Sequence, residues 1–155
     1  ANPALVATLA SIGPVGNHTW DHPHLPTLSP SATQSQLDRA RAQIIAVGGG
    51  SGMPFFRFPF GESNPATLSA VNAAGYVAVG WTVDSLGWQG TSGGQTVAKV
   101  ADRVVAAQRP GEIVLMHLGG HPTDKSTLDA DALPQIISRL KASGYTFVTL
   151  DALGS

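Results

Sequence analysis

The sequence predicts an α/β protein built on parallel strands, and three observations carry that prediction. Short apolar runs alternate along the chain with stretches of helical periodicity, the pattern of repeated βα units. Four of the runs lead directly into a polar residue suited to chemistry: Pro14-Val15-Gly16 before His18, Phe55-Phe56 before Arg57, residues 76–83 before Asp84, and residues 113–116 before His117. The chain, 155 residues of which 43% are hydrophobic, is also long enough for one domain with a substantial core. In parallel α/β folds the active site lies where the C-terminal ends of the strands converge. Two histidines, an arginine and an aspartate at such ends are therefore read as the residues of an enzyme.

The elements follow in order. Asn2 as N-cap and Pro3 at the first helical position start a leading helix, with Leu5, Leu9 and Ile12 as its apolar stripe and Gly13-Pro14 as its stop. A short strand delivers Gly16-Asn17-His18, and a turn-rich segment covers residues 22–30. A second helix is expected over 31–47, with Leu37, Ile44 and Ile45 on its buried side and Gly48-Gly49-Gly50 as its end. A strand over 55–57 leads through Pro59-Phe60-Gly61 to another Asn-Pro helix start at Asn64-Pro65. Residues 76–83 form the clearest strand. A loop at 90–94 precedes a helix over 96–108 that aligns Val97, Val100 and Val104. A strand over 112–117, a long loop, a helix over 129–143 and a last strand over 146–150 complete the chain. No internal repeat or linker interrupts it, so a single domain spanning 1–155 is expected.

Composition narrows the partners. Only 12% of residues are charged, the net charge is −1, and no basic run is present. Nucleic acid and anionic membrane are therefore not expected as partners. No stretch approaches the roughly 20 apolar residues of a membrane helix. Cysteine is absent, which excludes disulfides and thiolate metal sites. Low charge with abundant small residues suits a secreted or envelope-associated bacterial protein.

His18-Thr19-Trp20-Asp21-His22-Pro23 sets two imidazoles four residues apart. On one helical turn they would lie about 5–6 Å apart and could share a metal ion; the competing reading is a surface or capping pair. His24 falls off that face and reads as a solvated loop residue. Arg57 stands among Phe55, Phe56, Phe58 and Phe60, and is expected either to meet a carboxylate at the strand end or to extend its head to solvent. Asp84 on its own reads as a turn-forming residue, and Trp88 as core or as a wall for stacking a sugar ring. His117, leaving an apolar strand, is a candidate acid/base, or a core histidine bonded to backbone. His121-Pro122 reads as structural. A nucleophile elbow, a phosphate-binding loop and a dinucleotide fingerprint are all missing.

Taken together and in this order, the segments resemble the polysaccharide deacetylases, the NodB-homology or carbohydrate esterase family 4 proteins. His18 to Pro23 resembles H-[ST]-x-x-H-P, Arg57-Phe58-Pro59-Phe60-Gly61 resembles R-x-P-[YF]-G, Asp84 to Trp88 resembles D-x-x-D-W, and Leu115-Met116-His117 resembles L-x-H. The resemblance implies a distorted (β/α) barrel and a divalent metal, zinc foremost with cobalt or nickel as alternatives, held by His18 and His22. It implies hydrolysis of acetyl groups from N-acetylglucosamine polymers such as peptidoglycan or chitin, or from O-acetylated xylan. His117 would be the acid, Arg57 and Asp84 would serve the catalytic machinery, and Trp88, Leu115 and Phe60 would contact substrate.

Two departures accompany the resemblance. The family's T-F-D-D-G motif, which carries the base and the third metal ligand, has no counterpart and would precede residue 1. The chain is therefore expected to be an N-terminally incomplete barrel of about five strands. Gly87 stands where D-x-x-D-W has its second aspartate. The alternatives are a non-catalytic carbohydrate- or metal-binding remnant, and a structural half-barrel that pairs with a second copy across its open sheet edge.

Overall fold

A computed structural model describes residues 3–154. Its contacts group the chain into two compact units, Ala1–Gly80 with Val148–Ser155, and Trp81–Phe147.

The first unit holds helix α1 (Pro3–Ile12), helix α2 (Pro30–Ala46), strand β1 (Phe55–Phe56), helix α3 (Pro65–Ala73) and strand β2 (Val77–Ala78). Strands β1 and β2 pair in parallel, Phe55 opposite Val77 and Phe56 opposite Ala78, and Asn17 adds a parallel bridge to Phe56. That bridge depends on Gly16, where a Cβ would stand 2.8 Å from the Phe55 carbonyl oxygen. The helix starts fall within a residue of those expected. Ser29 caps α2 by accepting from the Ala32 amide at 3.2 Å, with Pro30 in the first turn. Asn64 and Thr67 form a reciprocal capping box on α3, their amides and side-chain oxygens paired at 2.8 and 2.9 Å. Leu25, Leu37, Phe56, Phe58, Val71 and Tyr76 make the core.

The second unit holds strand β3 (Val83–Asp84), helix α4 (Val97–Ala106), strand β4 (Val114–Leu115) and helix α5 (Leu128–Ala142). Strands β3 and β4 are parallel, with Asp84 opposite Leu115. Val100, Ala101 and Val104 of α4 pack on Leu128, Ala132, Ile136 and Leu140 of α5. Thr96 caps α4, and α5 carries Asp129 and Asp131 in its first turn and Arg139 and Lys141 in its last, matching its dipole.

The α/β class and every helix are as expected within one or two residues, but the strands are shorter. The expected strand over 76–83 is two strands, β2 and β3, on either side of Gly80-Trp81, where glycine adds backbone entropy and no side chain to pack. The run before His18 contributes only the Asn17 bridge, and 146–150 forms no strand; Phe147 and Val148 stay exposed. The stripe of α1 is also displaced. Leu5, Leu9 and Ile12 are exposed, and the side that meets the protein is the one carrying Val6 and Ala7, which face Gly48 and Gly49. In α2 the buried line runs through Thr33, Leu37 and Ala40, leaving Ile45 exposed one step away. The Asn2 cap lies outside the described residues.

Candidate active site

In the first unit the chemistry gathers on the loop after Asn17. Asn17 is fully buried, and its side chain donates to the Leu37 carbonyl at 2.9 Å and the Tyr76 hydroxyl at 2.8 Å while accepting from the Thr19 amide at 2.9 Å. A buried amide with its hydrogen bonds satisfied fixes the loop's entry. Farther along, the Gln36 side-chain oxygen accepts from the amides of Trp20 and Asp21, and the Arg39 guanidinium lies 4.7 Å from the Trp20 ring centroid. The loop is not a helical turn: Thr19 and His22 adopt positive φ of 68° and 56°. That geometry strains a β-branched residue, and it brings the imidazoles together by folding the chain back rather than by helical spacing.

The His18 and His22 rings meet edge to face with centroids 4.8 Å apart, and Phe60 packs on His22 at 4.5 Å. His18 Nδ1 lies 2.7 Å from the Arg57 carbonyl oxygen. A carbonyl only accepts, so Nδ1 carries the proton and Nε2 is the lone-pair nitrogen, the form in which imidazole binds metals. The Arg57 amide in turn donates to the Asn17 carbonyl at 3.0 Å. Arg57 contributes its backbone carbonyl to this cluster, which sets the His18 tautomer. His24 is exposed, as expected, but not solely solvated: it stacks on Phe60 at 4.2 Å and meets Glu62 at 2.7 Å.

The second unit assembles a different set. Asp84 forms the turn its type favours, accepting from the Leu86 amide at 2.9 Å, and its other oxygen receives the Trp88 indole N–H at 3.2 Å. Trp88, 48% exposed, is thereby held at the surface rather than buried as core. It shares a cavity of about 170 Å³ with Gly87, His117, Leu118, Leu128 and Asp129. Leu115 is buried in β4 opposite Asp84, and the apolar lining comes from Leu118 and Leu128. His117 is half exposed, and its backbone amide donates to Asp129 Oδ2 at 2.7 Å. His121 and Asp124 close the adjoining loop on themselves, which is the structural role expected of His121. Hydrogen bonds from Ser126 and Ser92 hold the Asp124 carboxyl well below the usual carboxylate range.

Asp129 is the residue that sequence reasoning missed. The only signal pointing to it was negative, a glycine at 87 where the motif has a carboxylate. Asn17, the anchor of the histidine loop, gave no signal beyond its neighbour His18.

As donors for a metal, His18 and His22 fit: two imidazoles in contact, one with its tautomer fixed for coordination. Two donors do not complete a shell, and no group of three or more histidine, aspartate or glutamate residues able to hold an ion occurs among the described residues.

Parallel strand pairs flanked by helices, with polar residues at the strand ends, define the chain as an α/β protein. The sequence profile described as Polysaccharide deacetylase matches residues 1–79, and the chain belongs to that family. A peptidoglycan-N-acetylglucosamine deacetylase of Bacillus cereus is 31% identical over 154 residues, covering 97% of this chain and 53% of that protein. A family 4 carbohydrate esterase from Streptomyces lividans, solved in complex with acetate, superposes with a TM-score of 0.78 at 30% identity, over 92% of this chain and 69% of that one. A family 4 pseudoenzyme from Bacillus anthracis superposes at 0.82 with 26% identity, over 98% and 50% of the two chains. The chain thus spans about half the length of such curated relatives.

Proposed function

We propose that the protein removes acetyl groups from polysaccharide, an N-acetylglucosamine polymer or O-acetylated xylan, in a metal-dependent hydrolysis outside the cell or at its envelope. The observation that carries the proposal is the His18–His22 pair with His18 Nδ1 on the Arg57 carbonyl, because a tautomer fixed this way is what a metal-binding imidazole requires. His18 and His22 would hold a divalent ion, zinc foremost, whose contribution when bound is Lewis-acid polarisation of the acetyl carbonyl. Water attacks the acetyl carbonyl carbon, the C–N or C–O bond to the sugar breaks, and this chain supplies the proton that the leaving group takes up. His117 delivers a proton to the leaving amine or alkoxide, a step worth roughly 10²–10⁴ in rate. Trp88, held by Asp84, offers its face to a sugar ring, and Phe60 flanks the metal histidines. The proposal includes the distorted (β/α) barrel of the family as the scaffold.

Acetate release tests it, measured on N-acetylglucosamine oligomers and on acetylated xylan with zinc and then with a chelator. Zinc-dependent release on either substrate supports the proposal and names the substrate. Release indifferent to chelator overturns its metal component. A folded protein that binds oligomers without releasing acetate is instead a carbohydrate-binding remnant.

A further inference from the structure

We propose that Asp129 is the positioning residue of His117, taking over from α5 the place that the D-x-x-D-W pattern gives to a carboxylate at position 87. The inference rests on the reading of His117 as the proton donor. It begins with an aspartate only 5% exposed, in the first turn of α5, whose two oxygens are both engaged. Oδ1 accepts from the Ser85 hydroxyl at 2.7 Å and Oδ2 from the His117 amide at 2.7 Å. The same Oδ2 lies 3.8 Å from His117 Nδ1, within ion-pair range though beyond hydrogen-bond length. One carboxylate therefore pins the backbone from which the imidazole hangs and places a negative charge beside the ring.

Gly87 shows why the carboxylate comes from α5. A Cβ built at Gly87 would fall 2.6 Å from Asp129 Cγ and nearer still to Oδ1. The Gly87 backbone lies outside the positive-φ region, so an L-residue is not excluded by conformation. What excludes it is the carboxylate of Asp129. The space admits a side chain from 87 or the one from 129, not both, and this chain carries the second arrangement. Burial by itself would raise the Asp129 carboxyl, but its interactions with His117 and Ser85 outweigh that and hold it below the usual range, so it stays ionised where the reaction needs it.

The other charged groups nearby are accounted for. Arg103 of α4 reaches the site only through the Ser85 carbonyl, to which it donates at 2.7 Å. In the adjoining loop His121 Nδ1 accepts from the Asp124 amide at 3.2 Å, and the Asp124 carboxylate is held by Ser126 and Ser92. No second carboxylate bonds the His117 amide among the described residues.

The experiment compares Asp129→Asn, Gly87→Asp and the pair Gly87→Asp/Asp129→Ser with the unaltered protein. Two readouts are used: the His117 amide proton by NMR across acidic pH, and kcat and KM for acetate release. The unaltered protein should show a His117 amide shift that titrates with the carboxyl. Asp129→Asn should abolish that titration and lower kcat about tenfold or more, a fraction of what a general acid supplies, with KM little changed. Gly87→Asp alone should be destabilised by the clash. The pair should recover both stability and kcat, which a merely structural loss at 129 would not permit. A paired variant that folds but stays as slow as Asp129→Asn overturns the inference, as does Asp129→Asn with unchanged kcat and amide titration. If the protein releases no acetate at all, the deacetylase reading fails, while the amide titration and the stability rescue still decide the exchange between 87 and 129.

Discussion

His117 and His18 are held in opposite ways, and the difference predicts what their loss does. His18 is fixed through a ring nitrogen on the Arg57 carbonyl, His117 through its backbone on Asp129, with its ring half exposed beside Trp88. The backbone bond from residue 117 to Asp129 remains when the ring is removed, so the loop keeps its anchor. His117→Ala should therefore reduce kcat for acetate release by roughly 10²–10⁴ while zinc content, read by metal analysis, is unchanged. Unaltered turnover would remove His117 from the mechanism. Asp129 gives a pH prediction with a definite sign. Its carboxyl is lower in the folded protein than in the unfolded chain, near 3.9. The ionised form therefore stabilises the fold above that value, and the stabilisation disappears as pH falls through the folded value. Urea midpoints measured from pH 6 down to pH 2 should decline less steeply in Asp129→Asn than in the unaltered protein.

At the scale of elements, the second unit rests on the α4–α5 interface, where Val100, Val104, Ala132 and Ile136 are almost wholly excluded from solvent. Ile136→Ala should cost about 2–5 kcal/mol, through lost transfer energy and a cavity the flanking helices cannot close. Urea denaturation checks it, and a loss under about 1 kcal/mol would mean the interface collapses around the gap. Helices were legible because their signals are local. Asn64-Pro65 announces its start within two residues and the cap is present, while Ser29, which caps α2, lies in the segment expected to be turn-rich. Strands were less legible, since a ladder needs a partner that periodicity does not name. Residues 76–83 are apolar but for Thr82, yet split around Gly80-Trp81 into one strand pairing with β1 and another pairing with β4. Phe147 and Val148 have strand-like character and no ladder.

For the molecule as a whole, the motif residues stand at or just beyond parallel pairings: His18 follows the Asn17 bridge, Arg57 follows β1, Asp84 ends β3 and His117 follows β4. What no motif could display were the contacts between distant segments. Asn17 holds the histidine loop through Leu37 and Tyr76, twenty and fifty-nine residues away. Asp129 reaches His117 across a twelve-residue loop, filling space that Gly87 leaves open. The central claim is that His18 and His22 form the metal-binding end of a deacetylase. Acetate release from N-acetylglucosamine oligomers, followed as zinc is titrated into the metal-stripped protein, His18→Ala and His22→Ala, tests it most directly. Zinc should restore release in the unaltered protein and in neither variant. Release that zinc does not affect, or that survives loss of either imidazole, would contradict the claim.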